Sequence, residues 1–471
     1  MGKLLAHIRK GRDDRALYLQ GILPYLFALG CARAWVTLVV AAPSGAWAVP
    51  FDAHDVFDYA FCVASAVTAL LARRLLPLNG SPAMPGVSLG AMVLASLCFT
   101  GALLAPDAAA AFVGAGAVLG GIGFGLFLLL WAEVLSALSL IRIFLYTTAS
   151  QLMGVVFAFF CGGLDELRMA FAVIGLPFIA AGCLRAAYRA VPAADRPART
   201  CPKFTYPWKI FALLALYSFA YGLRQSSLAQ GAGMHSSLST AIIMAVLFAS
   251  AYFFSTRFNI GALYRSPLVL VVCGFLLVPT EGVLGATVSS YLISMSYSLV
   301  GIIVALLLYD ISKRLGVTVV VFAGIKGAEQ VFVIWGKGVT EALGTSGVGQ
   351  GVQEVLVAVA VVAMVLAATL ILLSEKELAS KWGVRILDAG GLVEKTPEEE
   401  RLETRVAELA AHAHLTPRET EILELVAKGK NGPAIMGDLF IAEGTFKAHM
   451  SHIYEKCGVA NRRELRALLG A

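Results

Sequence analysis

The residues best suited to chemistry in this sequence are charges placed where charge is costly. Arg33, Arg224, Lys326 and Glu329 each stand inside a long apolar run, and Glu133 stands near the end of another. An ionisable side chain at membrane depth costs about 2.5–3.5 kcal/mol on insertion scales, so such groups face a cavity or a partner. Arg33 and Arg224 lie about sixteen residues into their runs. Two cationic arms at similar depth suit a small anionic or hydrogen-bonding ligand. Lys326 and Glu329 are spaced i and i+3, which puts them on one helix face. Trp35, Trp131 and Trp335 are aromatic candidates for the same wall. Competing readings are mutual neutralisation of these charges between helices, snorkelling of Arg224 to an interface, and packing or interface roles for the tryptophans.

Other chemistry lacks its residues. Eight cysteines lie far apart with no CxxC or Cys/His spacing, so neither a zinc site nor a disulfide framework is expected. His449 and His452 have a metal-compatible spacing but no accompanying ligand set. There is no Walker loop or glycine-rich nucleotide fingerprint ahead of a helix. The expectation is therefore no enzyme, no metal and no cofactor.

The elements that must position these charges follow from composition. Of the 471 residues, 58% are hydrophobic and only 14% charged, well away from a soluble average. Apolar segments near 17–42, 56–72, 84–105, 108–131, 143–164, 169–188, 208–226, 237–256, 266–284, 286–309, 317–336 and 352–373 are each of a length to cross a bilayer. That predicts about twelve spans, those at 56–72 and 317–336 being the most burdened with charge. Lys3, Arg9, Lys10, Arg12 and Arg15 precede the first, read as a lead-in and not as a removable signal. Arg73, Arg74, Arg142, the cluster from Arg185 to Lys209, Arg257, Arg265, Lys313 and Arg314 fall in alternate loops, with Arg168 and Lys337 as exceptions. That alternation predicts a multi-pass protein of the bacterial cytoplasmic membrane with both termini in the cytoplasm.

The two halves share short motifs in the same order. Tyr25-x-Phe27-Ala28-x-Gly30 is matched by Tyr217-x-Phe219-Ala220-x-Gly222, each followed within three residues by an arginine. The stretch from Leu128 to Glu133 parallels Leu306 to Asp310, and Ala149/Gln151 parallels Ala328/Gln330. A 6+6 repeat around a long basic loop is similar to the major facilitator superfamily over roughly residues 17–373. That superfamily's usual basic motif between spans two and three is replaced by Ala72-Arg73-Arg74-Leu75-Leu76-Pro77, which counts against active transport more than against the fold.

After residue 373 the composition changes. Thr396-Pro397-Glu398-Glu399 carries helix-start signals, and Leu402, Val406 and Leu409 make an apolar stripe. From Leu415 four short helices are expected. Thr416 to Glu419 forms a capping box and Gly429 ends the first helix. Asn431 caps the second, Glu443 to Cys457 is the third, and Asn461 opens the fourth after Gly458. The turn at 440–442 joins the second and third as a helix-turn-helix requires.

Leu415, Thr416, Arg418, Glu419, Gly429, Ile435, Leu439, Ile441, Thr445, Lys447, His449, Lys456, Gly458, Val459, Asn461 and Arg462 stand in gapless register. In this register the segment resembles the DNA-binding domain of the LuxR family. Departures are Gly432-Pro433-Ala434 for the family's Asn-Lys-Glu, Ala442 for Ser, Phe446 for Val and Cys457 for Leu. The resemblance implies that the third helix enters the major groove, with Thr445, Phe446, Lys447 and His449 on its leading turns and Arg462 beside it. Lys447 can reach a phosphate or a guanine edge, and Phe446 a thymine methyl. Packing roles compete for Phe446 and His449. Residues 415–471 carry eight Lys and Arg against seven Asp and Glu, so one copy binds weakly and a homodimer through the fourth helix is implied.

The expected chain is thus all-α: a transmembrane facilitator-like sensor at 1–373, a linker with a short helix at 374–414, and a LuxR-type helix-turn-helix at 415–471. The leading expectation is a one-component membrane regulator that senses a small molecule and binds promoter DNA. Its partners are that ligand, lipid, DNA, a second copy and RNA polymerase. The alternatives are a transporter with a fused DNA-binding regulatory tail, and a membrane tether that takes no ligand.

Overall fold

A computed structural model describes residues 21–41, 49–192, 196, 207–229, 235–253, 260–280, 287–344, 350–372 and most of 402–469. The chain divides into two compact units, Met1–Val393 and Glu394–Ala471. All regular elements among the described residues are helical.

The first unit is built from α1 (Ile22–Val36), α2 (Ala53–Leu70), α3 (Ala83–Leu104), α4 (Ala109–Leu135), α5 (Leu140–Gly162) and α6 (Glu166–Ala190) in its first half. The second half holds α7 (Trp208–Ala229), α8 (His235–Phe253), α9 (Ile260–Leu277), α10 (Ser289–Leu315), α11 (Val319–Ala328), α12 (Val331–Gly344) and α13 (Gln350–Leu372). Seven of the described helical stretches, one joining α11 and α12, are long and apolar enough to cross a membrane. A bent pair, α2 with the short helices after it, makes an eighth at 71°. α8, α9 and α13 contain shorter apolar stretches. Counting α7, and α11 with α12 as one pass, gives twelve.

The packing is two-fold in pattern. With passes numbered one to twelve, passes one and five, one and six, two and four, three and four, and three and six pack together. So do seven and eleven, seven and twelve, eight and ten, nine and ten, and nine and twelve. The halves meet where pass two packs on eleven and pass five on eight. A shift of six exchanges those two contacts, as a 6+6 repeat requires.

The repeated motif explains part of this. A Cβ at Gly30 would lie 3.3 Å from Met153, and one at Gly222 would lie 2.1 Å from the Val333 carbonyl oxygen. The matched glycines therefore sit where pass one crosses five and pass seven crosses eleven, with small residues permitting close approach.

Pass eleven departs from expectation. It runs to Gly344, eight residues beyond the expected end at 336, and is broken between α11 and α12 at Glu329–Gln330. The Gln330 and Phe332 amides bond back three residues, to Gly327 and Glu329. The extension half-buries Lys337, which pairs with Asp52 and, at 3.0 Å, with Asp55 at the start of α2. An ion pair between the halves therefore accounts for a basic residue out of phase with its neighbours. At the opposite end, the Tyr309 hydroxyl donates to the Ala132 carbonyl at 3.3 Å and Lys313 to that of Leu138 at 2.6 Å.

The second unit holds α14 (Pro417–Ala427), α15 (Gly432–Leu439), α16 (Glu443–Cys457) and α17 (Arg462–Leu469). Ile422, Leu423, Val426, Ile435, Met450, Ile453, Leu465 and Leu469 form its core. The stripe of Leu402, Val406 and Leu409 packs on that same core, with Val406 buried, and Arg405 donates to the Leu469 carbonyl at 3.0 Å. Residues 396–401, including the expected helix start, lie outside the described residues.

Candidate functional site

In the membrane unit the site forms where both halves contribute. Between Ala28 and Trp35 every residue of α1 is buried except Arg33, which water reaches. Its guanidinium donates to Gln151 Oε1 on α5 at 3.1 Å and lies within electrostatic range of Tyr221 on α7 and Tyr297 on α10. Its hydrogen bond to one half and its nearness to charged and phenolic groups of the other place Arg33 close to where the halves meet. Lys326, on α11, is within electrostatic range of both Arg33 and Glu329. Glu329 is buried at the break in pass eleven and accepts a short hydrogen bond from Ser218.

Gln330, next in the chain, accepts from the Tyr297 hydroxyl at 3.0 Å and donates to Asp58 on α2 at 3.4 Å. Asp58 in turn faces His54 at 3.5 Å. Tyr221 and Tyr297 stack with ring centroids 4.5 Å apart and planes 6° from parallel. Successive residues of a helix point about 100° apart, so Glu329 and Gln330 face different neighbours.

The structure brings Arg33, Lys326 and Glu329 together. Arg224 lies six residues beyond Ser218 on α7, roughly 9 Å further along that helix, and is half-buried. Glu133 is elsewhere. Its carboxylate accepts from the Leu78 N–H at 2.9 Å and from the Asn79 N–H and Nδ2 at 2.8 Å, anchoring the loop between α2 and α3. Trp35 is buried and donates to Ser96 at 2.8 Å, Trp131 is buried, and Trp335 is exposed beside Phe332.

Sequence reasoning missed Ser218, Tyr221, Tyr297 and Asp58. It found Gln151 and Gln330 only as matched repeat residues, and that match was the usable signal. A polar residue repeated at one place in two apolar halves points to the shared axis.

In the second unit, the residues that make the domain recognisable in sequence mostly hold it together. Thr416 Oγ1 accepts from the Glu419 N–H at 3.3 Å, and Glu419 accepts from the Thr416 N–H at 2.8 Å. Arg418 donates to the Leu439 carbonyl at 2.7 Å, tying α14 to the end of α15. Glu419 is buried and pairs with Lys456 of α16 at 2.7 Å. Burial raises the Glu419 carboxyl, but Lys456 and the Thr416 N–H and hydroxyl outweigh it and hold the group down at about 2. Gly429 and Gly458 end their helices with φ of 79° and 66°, a left-handed cap that favours glycine. Asn431 and Asn461 cap α15 and α17, at 3.0 Å each.

That leaves the outer face of α16. Thr445, Lys447, Ala448, Ser451, His452 and Glu455 are exposed, while Phe446 and His449 are half-buried and Met450 and Ile453 buried. Lys447 pairs with Glu443 at 2.8 Å on the exposed surface. A cleft beside it is lined by Phe446, Lys447, Met450, Ser451, Tyr454 and Arg462, and Arg462 donates to the Lys430 carbonyl. Phe446 packs against the start of α15, where a Cβ on Gly432 would stand 3.3 Å from its ring. The large residue on one helix is matched by the missing side chain on the other. Ser451 and His452 were not anticipated, although the apolar period of Phe446, Met450, Ile453 and Cys457 leaves them on the opposite face.

These features define a class: a polytopic helical membrane protein that carries a helix-turn-helix DNA-binding domain. Residues 413–469 match the GerE family, bacterial regulatory proteins of the luxR family. The chain is 40% identical over 60 residues to the HTH-type transcriptional regulator MalT of Serratia proteamaculans, covering 13% of this chain and 7% of that protein. It is 44% identical over 48 residues to the probable transcriptional regulatory protein NarL of Mycobacterium tuberculosis, covering 10% and 22%. The chain thus spans less than a quarter of the length of either relative. The membrane unit is similar to the major facilitator superfamily proton:xylose symporter XylE bound to 6-bromo-6-deoxy-D-glucose. The TM-score is 0.51 at 13% identity, over 78% of this chain and 98% of that one. The chain therefore joins a LuxR-type regulatory domain to a helical bundle with the major facilitator fold.

Proposed function

We propose that this protein is a one-component transcription regulator whose membrane bundle senses a small molecule and whose helix-turn-helix binds promoter DNA. The observation that carries the reading is the convergence of Arg33, Gln151, Tyr297, Lys326, Glu329 and Gln330, from both halves, around a water-accessible arginine. A ligand held between two halves favours one of their arrangements over the other, and only such differential affinity can drive a switch. The alternation of basic loops supports a cytoplasmic position for both termini, and with it access of the DNA-binding domain to the chromosome. Near-neutral charge in that domain supports a homodimer on paired half-sites, with Thr445, Phe446, Lys447, His449 and Arg462 at the DNA and Ser451 and His452 added to them. Arg224 remains a candidate for the wall of the ligand cavity, and Glu133 a more remote one. RNA polymerase and lipid complete the partners.

The test is transcription of the adjoining genes across a panel of small molecules, in wild type and Lys447→Ala. A response to one compound that Lys447→Ala loses supports a sensor-regulator. Transcription independent of both the panel and Lys447 overturns it. A second reading, transport with a regulatory tail, is favoured by the buried carboxylates Asp58 and Glu329, since proton-coupled carriers need such groups. Uptake into proteoliposomes separates the two.

A further inference from the structure

We propose that the central site takes a small organic monoanion, its carboxylate held between Arg33 and Lys326; this rests on the reading of that site as the ligand cavity. Neither cation has a carboxylate partner among the described residues. Arg33 has the neutral Gln151 amide oxygen as its hydrogen-bond acceptor. Lys326 makes no hydrogen bond to a described residue. Among the described residues no Asp or Glu oxygen comes within 4.0 Å of either. Glu329, the carboxylate in electrostatic range of Lys326, is turned to Ser218 instead. Asp58, further along, is engaged by His54 and Gln330.

Arg33 and Lys326 belong to opposite halves, lie within electrostatic range of each other, and repel. Arg33 is open to water on a stretch of helix otherwise buried, so an ion can enter. Two cations in a low-dielectric bundle are costly alone and are relieved by an anion between them.

With Asp58 engaged by His54 and Gln330, Glu329 is the carboxylate in electrostatic range of Lys326, so the two cations keep one positive charge in excess, which a monoanion cancels and a dianion exceeds. A guanidinium fork matches a carboxylate's two oxygens. The stacked Tyr221–Tyr297 pair, in electrostatic range of Arg33, offers an apolar flank for the rest of the molecule.

The experiment uses the full chain in lipid nanodiscs, with its melting temperature titrated against benzoate, acetate, succinate, inorganic phosphate and neutral benzamide. Benzoate and acetate are expected to stabilise it saturably, with benzamide, succinate and phosphate inert at equal concentration. Arg33→Gln and Lys326→Gln should each weaken benzoate by about tenfold or more, with Arg33→Lys falling between wild type and Arg33→Gln because an ammonium keeps the charge but not the fork. Equal stabilisation by benzamide, binding of phosphate or succinate alone, stabilisation by no probe, or unchanged benzoate affinity in both Gln variants overturns the proposal. The benzoate–benzamide comparison on the wild-type chain needs no variant to fold. Induction of Lys447-dependent transcription by a neutral compound would remove the monoanion and leave the regulator reading standing.

Discussion

Lys447 and Glu419 show how differently two charged residues of one small domain are employed. Lys447 is exposed and, among the described residues, tied only to Glu443 one helix turn earlier, a pairing that a phosphate can replace. Lys447→Ala is expected to lower DNA affinity across all sequences and reduce the salt slope of binding by about one, read from titrations at several salt concentrations. Glu419 is internal, and its carboxyl is held at about 2 against an ordinary 4.5. A carboxyl depressed on folding stabilises the domain fully above its unfolded value, and that stability is lost as pH falls through the folded one. Denaturant melts of the second unit should therefore weaken between about pH 4.5 and 2, and Glu419→Gln should flatten that decline. Phe446 and Gly432 form a matched pair. Gly432→Val should destabilise the wild-type domain but not Phe446→Val, with a coupling of about 0.5–1.5 kcal/mol in a double-mutant cycle.

Among the elements, the repeated glycines differ in how much room they leave. A side chain at Gly222 meets the Val333 backbone at 2.1 Å, whereas one at Gly30 meets the flexible Met153 side chain at 3.3 Å. Gly222→Ala should cost about 3 kcal/mol or more, or prevent assembly, while Gly30→Ala should cost about 1 kcal/mol; thermal unfolding in detergent distinguishes them. Leu402, Val406 and Leu409 pack with the DNA-binding core. A fragment of residues 394–471 should therefore be more stable than 415–471 by about 2–3 kcal/mol, the scale of burying one Val and parts of two Leu side chains. Calorimetry on the two fragments decides it.

At the scale of the whole molecule, the bundle is two similar halves tied near both ends, by Lys337 to Asp52 and Asp55 at one and by Lys313 to Leu138 at the other. Ties of this kind sit where relative motion of the halves would break them, so they stabilise the arrangement in which they are formed. The other unit has little net charge for holding DNA. Its affinity for a probe carrying two half-sites should exceed that for a single half-site by about a hundredfold, measured at equal salt with the full chain.

Much of this was legible without coordinates, because it depends on local pattern. Apolar runs of bilayer length, glycine and asparagine caps, and the gapless motif from Leu415 to Arg462 each follow from residue type and spacing, since helix formation and termination are short-range events. The 6+6 repeat was visible in three short matches. The central site was only half visible. Arg33, Lys326 and Glu329 stand out as charges in apolar runs, but Tyr221, Tyr297, Ser218 and Asp58 are ordinary residues until six helices meet. Tertiary structure alone decided that pass eleven breaks at Glu329–Gln330, that Lys337 has carboxylate partners 282 to 285 residues away, and that Glu133 anchors a loop. The physical reason is that burial of a charge is resolved by whichever partner packing brings near, and such partners lie far off in the chain.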